Sequence, residues 1–133
     1  MVYRKNSYKH THVTTASPGE LIVMLYDGAI RFTSAAEARL REGDIAKGSA
    51  SVSRAVAIVG YLQSILDERQ APDLVAHLDK LYFRWSHSLT KANIEKDVDV
   101  IAAIREEIVE MREAWSEVSQ QVSTQNATGT DNA

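Results

Sequence analysis

Histidine is the residue of this chain best suited to proton or phosphoryl transfer near neutral pH, and it occurs four times. His10 and His12 lie near the start of the chain without carboxylates spaced to bind a metal with them, and His87 falls on the outer side of a predicted helix. His77 differs because Lys80 follows it by one helical turn. Only this pair has a spacing suited to group transfer.

The segment His77-Leu78-Asp79-Lys80 resembles the site of histidine phosphotransfer domains, in which a lysine follows the phosphorylated histidine by three residues on a four-helix bundle. Those domains commonly have glycine directly after the lysine, whereas Leu81 follows here on the predicted core side. Asp73 lies one turn before His77, and an ordinary i,i+4 neighbour pair explains this histidine better. Phosphotransfer through His77 is therefore the alternative hypothesis.

Other catalytic and cofactor patterns are missing from the sequence. No Glu-x-x-His pair suits a di-iron bundle, no glycine-rich phosphate motif occurs, no serine has the neighbours of a catalytic triad, and cysteine is absent. We expect no enzyme, no cofactor and no metal. The net charge of -3 argues against nucleic acid, and no apolar run suits a signal peptide or membrane insertion. A cytoplasmic location is expected.

Prolines and caps divide the chain into helices. Ser17 and Glu20 form a capping box around Pro18, which predicts a first helix from residue 18 to Gly43. Asp44 caps a second helix that ends near Asp67, and a third begins at Pro72 and ends near Ile94. Asp97 caps a fourth, which continues to Gln121.

Apolar residues recur in each helix at spacings of three and four. The predicted core residues are Leu21, Leu25, Gly28, Ala29, Phe32 and Ala36; Ile45, Gly48, Val52, Ala55, Val59, Leu62 and Leu66; Leu74, Leu78, Leu81, Trp85, Leu89 and Ala92; and Ile101, Ile104, Ile108, Met111, Trp115, Val118 and Val122. Because the loops are short, neighbouring helices must run antiparallel. The fold class is all-α: an antiparallel up-down four-helix bundle over residues 17–121, with an extended N-terminal arm (1–16) and a disordered C-terminal tail (122–133).

A second set of apolar residues lies away from the predicted core seams. Its members are Val23, Tyr26 and Ile30 in the first helix, Ile58, Tyr61 and Ile65 in the second, and Phe83 and Ile94 in the third, with Tyr82 on its flank. One bundle cannot bury both sets, so the surplus predicts an interaction surface covered by the arm, a second copy or a bound chain. Singly scattered surface residues are the alternative explanation, and an interaction module is favoured.

The run YKHTHVTTASPGELIVMLYDGAIRF, residues 8–32, resembles the N-terminal signature of the flagellar secretion chaperone family FliS. Leu81-Tyr82, Ala92-Asn93 with Asp97, and Arg112-Glu113-Ala114-Trp115 resemble later motifs of that family, although Phe83-Arg84-Trp85 departs from its usual residues. The resemblance implies a cytoplasmic chaperone, not an enzyme, that binds the disordered C-terminal segment of flagellin, prevents premature polymerisation and assists delivery to the type III export gate.

A partner that is disordered before binding needs a long apolar groove to offset its ordering entropy. We predict Ile58, Tyr61, Ile65, Tyr82 and Phe83 as apolar contacts, Asn93 as a backbone-binding amide, and Tyr8 as part of a movable cover. Core packing for Tyr82 and helix capping for Asn93 are equally open. Export-gate components and other flagellar regulators are further candidate partners. The chain is expected to be a monomer or a weak homo-oligomer, and a bundle that only self-associates is the third hypothesis.

Overall fold

The computed structural model describes residues 17–132 of the chain. Its four helices are α1 (Pro18–Arg41), α2 (Ile45–Ser64), α3 (Pro72–Glu95) and α4 (Val98–Asn132), and no strand occurs in this range. Side chains of α4 are described as far as Val122, together with that of Thr124. The predictions for the N-terminal arm, including Tyr8, lie outside the described residues.

Local capping sets the helix starts where the sequence predicts them. The Ser17 hydroxyl accepts a hydrogen bond from the Glu20 amide at 3.2 Å, with Pro18 in the first turn. Asp44 accepts from the Lys47 amide at 3.2 Å, which satisfies an amide that has no partner within the helix. Asp97 does the same for Val100 at 3.3 Å. All three predicted side-chain caps are confirmed.

The C-terminal ends of the first three helices are set by turns of the backbone. Gly43, with φ +84°, makes the left-handed turn between α1 and α2 that glycine tolerates best. Lys96 ends α3 in the same left-handed region, at φ 57°. Helix α2 ends at Ser64, three residues before the predicted Asp67, because the chain turns at Ile65.

Each helix packs against two neighbours, in the order α1–α2–α3–α4 and back to α1. Pairs of contacts show antiparallel directions: Gln63 donates to Asp79 at 2.8 Å and Lys96 donates to Ser49 at 2.9 Å, which joins opposite ends of α2 and α3. The predicted up-down bundle is confirmed.

The core is formed by residues spaced three and four apart on all four helices. Its buried members are Tyr26, Ala29, Thr33 and Ala36 in α1, Val52, Ala55, Val59 and Leu62 in α2, Leu78, Tyr82, Trp85, Leu89 and Ala92 in α3, and Ile101, Ile104 and Ile108 in α4. Most of these were predicted. Several predicted core residues lie at the edge instead: Leu21, Leu25, Phe32, Leu66, Leu81, Met111 and Trp115 are partly buried.

Four predicted core residues are exposed, and two residues assigned to the surface set are buried. Ile45 and Leu74 lie in the first turns of α2 and α3, and Val118 and Val122 lie where α4 continues beyond the main core, so few neighbours cover them. Conversely, Tyr26 is fully buried and Tyr82 is 2% exposed. The core face of α1 is rotated toward Tyr26 and Thr33, which corrects the assignment of Tyr26 to the surface.

The predicted disordered tail differs from the structure, since the α4 backbone continues as helix to Asn132. The polar sequence offers no core seam here, and the Thr124 hydroxyl donates to the Gln120 carbonyl one turn earlier, at 3.0 Å.

Candidate functional site

A cluster of aromatic rings at the centre of the bundle holds α3 in position. The Tyr26 and Tyr82 hydroxyls are hydrogen bonded to each other at 2.8 Å across the core. The Trp85 ring lies 6.1 Å from that of Tyr26 and 5.6 Å from that of Tyr82, both as centroid distances. Edge-to-face packing, as between Trp85 and Tyr26, contributes about 0.5–1.5 kcal/mol per pair beyond the effect of the area that each ring buries. The helix that carries Phe83 is therefore rigidly placed.

Burial changes the ionisation of both phenols. Desolvation raises the pKa of Tyr26, partly offset by its hydrogen bonds. Desolvation also raises the pKa of Tyr82, and the hydrogen bond and charge repulsion from Tyr26 raise it further. Both side chains are neutral at physiological pH and serve as structural hydrogen-bonding groups.

Trp115 completes this cluster from α4. Its indole Nε1 is buried and has no hydrogen-bond partner among the described residues, yet it is close enough to lower the pKa of both phenols. Trp85 differs, since its indole N–H donates to Glu107 at 3.3 Å. Glu107 also pairs with Arg84, and that hydrogen bond keeps the carboxyl pKa below its usual value.

Phe83 follows Tyr82 in sequence and lies outside the core on α3. Its side chain is 64% exposed and stacks on His87, with the two rings nearly parallel and their centroids 6.1 Å apart. Ile94 is also exposed on α3. The prediction that Phe83 and Ile94 face away from the core is confirmed.

A second apolar surface, here called the α2 strip, consists of Ile58, Tyr61 and Ile65. Tyr61 is 54% exposed and Ile65 is 45% exposed, while Ile58 is partly buried. Ile58 turns toward α1, because its Cδ1 lies 3.0 Å from where a Cβ on Gly28 would stand. The spacing of three and four places Tyr61 and Ile65 on this same side of α2. The strip therefore borders α1.

The predicted contact residues are not all brought together. The α2 strip borders α1, and Phe83 occupies the outer face of α3. Tyr82 lies inside the core, where a partner cannot reach its ring in this structure. Asn93 is partly buried and accepts a hydrogen bond from Lys96 at 3.4 Å; the α3 C-cap is Lys96, so Asn93 does not have the capping role considered for it.

A separate groove of about 640 Å³ lies between the start of α1 and the second half of α4. It contains Val23 of the surplus apolar set, and Met24, half exposed, forms part of its rim. Gly19 allows the helices to approach here, since a Cβ would stand 3.0 Å from the Ser119 hydroxyl. Sequence patterns do not predict this groove as a site, because its walls come from residues about a hundred positions apart.

His77 and Lys80 of the alternative hypothesis are both exposed on α3, and Leu81 is partly buried against the core. Asp79 between them accepts the hydrogen bond from Gln63. Among residues 17–132, no cluster of three His, Cys, Asp or Glu side chains could hold a metal ion.

The sequence as a whole matches the model of a protein family described as flagellar protein FliS, over residues 1–122. The chain belongs to the FliS family. Relatives named flagellar secretion chaperone FliS include that of Campylobacter jejuni, 34% identical over 113 residues, which cover 85% of this chain and 88% of the relative. That of Salmonella typhimurium is 30% identical over 86% of each chain.

The FliS relative from Bacillus subtilis is 28% identical, with 86% of this chain and 84% of the relative covered. This confirms the family resemblance of the sequence motifs. FliS proteins are chaperones, which is not an enzyme class. In the described part of the chain, every helix is too short or too polar to cross a membrane.

Proposed function

We propose that this FliS-family chain is a cytoplasmic export chaperone that binds the disordered C-terminal region of flagellin. Binding prevents premature polymerisation and assists delivery of the subunit to the flagellar type III export apparatus. The observation that carries the proposal is apolar side chains exposed on a rigid bundle: Tyr61 and Ile65 of the α2 strip, and Phe83 of α3.

Exposure of these side chains costs free energy in the unbound protein. Covering apolar surface contributes about 25 cal/mol per Å², so large half-exposed side chains supply a driving force for a partner. A disordered segment must use part of that driving force to offset its own ordering. An amphipathic segment that becomes helical on binding buries several apolar side chains on one face, which suits the spacing along α2.

The rigid interior supports the same role. The Tyr26–Tyr82 hydrogen bond and the buried Trp85 hold α1 and α3 in place. A preformed surface loses little conformational freedom on binding, so most of the ordering cost falls on the partner. A chaperone that receives an unfolded segment benefits from this division.

Co-expression with a flagellin C-terminal segment, followed by gel filtration, tests the proposal. We expect one stoichiometric complex. Tyr61→Asp should abolish it, because a charge would enter the apolar contact. Ile45→Asp is the matched control, since Ile45 is on the same helix and 53% exposed but outside the α2 strip.

Failure of the wild-type chain to form any complex would contradict the proposed function. Equal loss of the complex in both variants would contradict the assignment of the α2 strip. The same column reports whether the free chain is a monomer or a weak homo-oligomer.

The role proposed for the arm can be tested separately by kinetics. If Tyr8 and its neighbours cover the apolar surface, deleting residues 1–16 should speed association of the segment, because the open fraction of the surface rises. If Tyr8 instead contacts the client, Tyr8→Ala should speed dissociation and leave association unchanged. Stopped-flow measurements distinguish a cover from a clasp.

A further inference from the structure

Two arginines from neighbouring helices share one aromatic ring. The guanidinium carbon of Arg31 in α1 lies 5.1 Å from the centroid of the Phe32 ring, and that of Arg54 in α2 lies 5.6 Å from it. Both arginines are exposed, and Phe32 is partly buried. Cation–π attraction accounts for their position over the ring. It does not neutralise the positive charge of either guanidinium group.

These two arginines differ from the others in residues 17–132 because no described carboxylate of that range lies within ion-pair distance of either. Each remaining arginine of this range has an acidic partner: Arg39, Arg41, Arg69, Arg84, Arg105 and Arg112. The chain as a whole carries a net charge of -3, so this positive spot is not a consequence of overall composition.

The acids that could have paired with them are engaged elsewhere or absent. Asp27, one turn before Arg31, is bound by Arg112 of α4 at 2.8 Å. Glu37 pairs with Arg41 and with Arg105. Helix α2 contains neither Asp nor Glu. Arginines that join α1 to α4 therefore have acidic partners, whereas Arg31 and Arg54, between α1 and α2, do not pair with an acid of residues 17–132.

The pair also adjoins the α2 strip. Arg54 precedes Ile58 by one turn, and the spacing 54, 58, 61 and 65 places all four residues on one side of α2. Gly28 leaves room beside Ile58, and the nearest Arg31 atom is 4.0 Å from the position of a Cβ there. An apolar track therefore ends at two guanidinium groups that have no acidic partner in the described part of the chain.

We propose that the α1–α2 face binds an acidic amphipathic segment of a partner protein. Apolar side chains of the segment lie on the α2 strip, and a carboxylate lies between Arg31 and Arg54. A guanidinium offers two parallel N–H donors to a carboxylate, and two such groups make a strong and oriented contact. This inference rests on the proposed function only because it uses the same α2 strip. Arg31 and Arg54 would bind a carboxylate by its charge, whichever protein carries it.

The test uses peptides unrelated to flagellin, so its failure and failure of the flagellin complex are distinguishable. The probes are a capped amphipathic peptide of Leu and Glu at helical spacing, its counterpart with Gln for every Glu, and inorganic phosphate. NMR spectra of the arginine Nε–Hε groups of the full chain report which guanidinium is contacted. Fluorescence anisotropy of labelled peptide gives the dissociation constant.

We expect the Leu–Glu peptide to shift the signals of Arg31 and Arg54, and added salt to weaken its binding. The double change Arg31→Gln with Arg54→Gln should weaken binding by about tenfold or more, because two charge-assisted contacts are lost. Arg69→Gln is the control: this arginine is 89% exposed and pairs with Asp67 in the α2–α3 loop. It should leave binding unchanged.

Several results would overturn the proposal: unshifted Arg31 and Arg54 signals, an equal loss with Arg69→Gln, Leu–Gln peptide bound as tightly as Leu–Glu peptide, or phosphate bound as tightly as the peptide. If the double Gln variant does not fold, the double Lys variant replaces it. Lysine keeps the charges and removes the planar fork, so the proposal then requires weaker peptide binding in a protein of unchanged helicity.

Discussion

Tyr82 and Phe83 are adjacent in sequence and occupy opposite regions of the bundle. Tyr82 is 2% exposed and hydrogen bonded to Tyr26, whereas Phe83 is 64% exposed and contacts His87. The more polar ring is inside and the less polar ring is outside. The comparison shows that burial here follows the phase of the helix and the availability of a hydroxyl partner, not the hydrophobicity of each residue.

The interior region stabilises the fold, and the exterior region is left for binding. A buried phenol needs a hydrogen-bond partner, and the two tyrosines supply each other. An exposed apolar side chain gains nothing from remaining in water, so stability alone does not account for Phe83 on α3 or for the α2 strip.

The largest expected effect is the loss of stability when a buried aromatic ring is removed. Trp85→Ala removes a fully buried ring that contacts both tyrosines and should destabilise the fold by about 3 to 5 kcal/mol. Urea unfolding followed by circular dichroism measures this loss. Phe83→Ala is the exterior counterpart and should cost under about 1 kcal/mol, since surface changes away from special features are small. Similar losses in both variants would show that the two regions are not distinct.

A smaller loss of stability is expected when only the hydrogen bond between the two tyrosine hydroxyls is removed. Tyr82→Phe leaves the buried Tyr26 hydroxyl without this partner and should cost about 1 to 3 kcal/mol by the same unfolding measurement. Tyr61→Phe removes a hydroxyl from a half-exposed side chain and should change stability by under about 0.5 kcal/mol. If both variants unfold alike, the buried hydrogen bond does not stabilise the bundle.

The same pair predicts an alkaline loss of stability. Burial raises the folded-state pKa of both Tyr26 and Tyr82 above the unfolded value of about 10. The stabilising contribution is therefore complete below pH about 10 and is lost as pH rises beyond it, because the unfolded chain releases protons first. Unfolding measured across this range should show a shallower loss in Tyr82→Phe. An unchanged slope would mean that Tyr82 does not resist ionisation.

The smallest expected effect on stability belongs to the exterior. Phe83→Asp should shift the melting temperature by no more than a few degrees, because the side chain has few neighbours to lose. The variant should nevertheless weaken binding of the flagellin segment. A large fall in melting temperature would indicate that Phe83 contributes to packing and would remove it from the proposed surface.

Local chemistry made the helix starts predictable. A hydroxyl or carboxylate at Ser17, Asp44 and Asp97 needs only the next turn of chain to act as a cap, so no tertiary information is required. Which side of each helix faces the core was harder to predict. In α1 the seam through Leu21 and Leu25 competed with the seam 26, 29, 33 and 36, and a buried Thr33 between a tyrosine and small residues is a weak signal.

The burial of Tyr82 depends on a hydrogen-bond partner from another helix, which the sequence alone does not reveal. The spacing 78, 82, 85, 89 and 92 does form a regular seam, but a buried hydroxyl is acceptable only because Tyr26 faces it from another helix. The relative positions of the exposed apolar residues were harder still to predict. Ile58 faces α1 and Phe83 lies on the outside of α3, and their separation depends on helix rotation within the bundle.

Isothermal titration of the full chain with a flagellin C-terminal segment tests the central claim most directly. We predict binding at micromolar protein with a negative heat-capacity change, a gain of helix by circular dichroism, and loss of both in Tyr61→Asp but not in Ile45→Asp. Absence of heat together with no gain of helix in the wild-type chain would contradict the account, as would binding that Tyr61→Asp leaves unchanged.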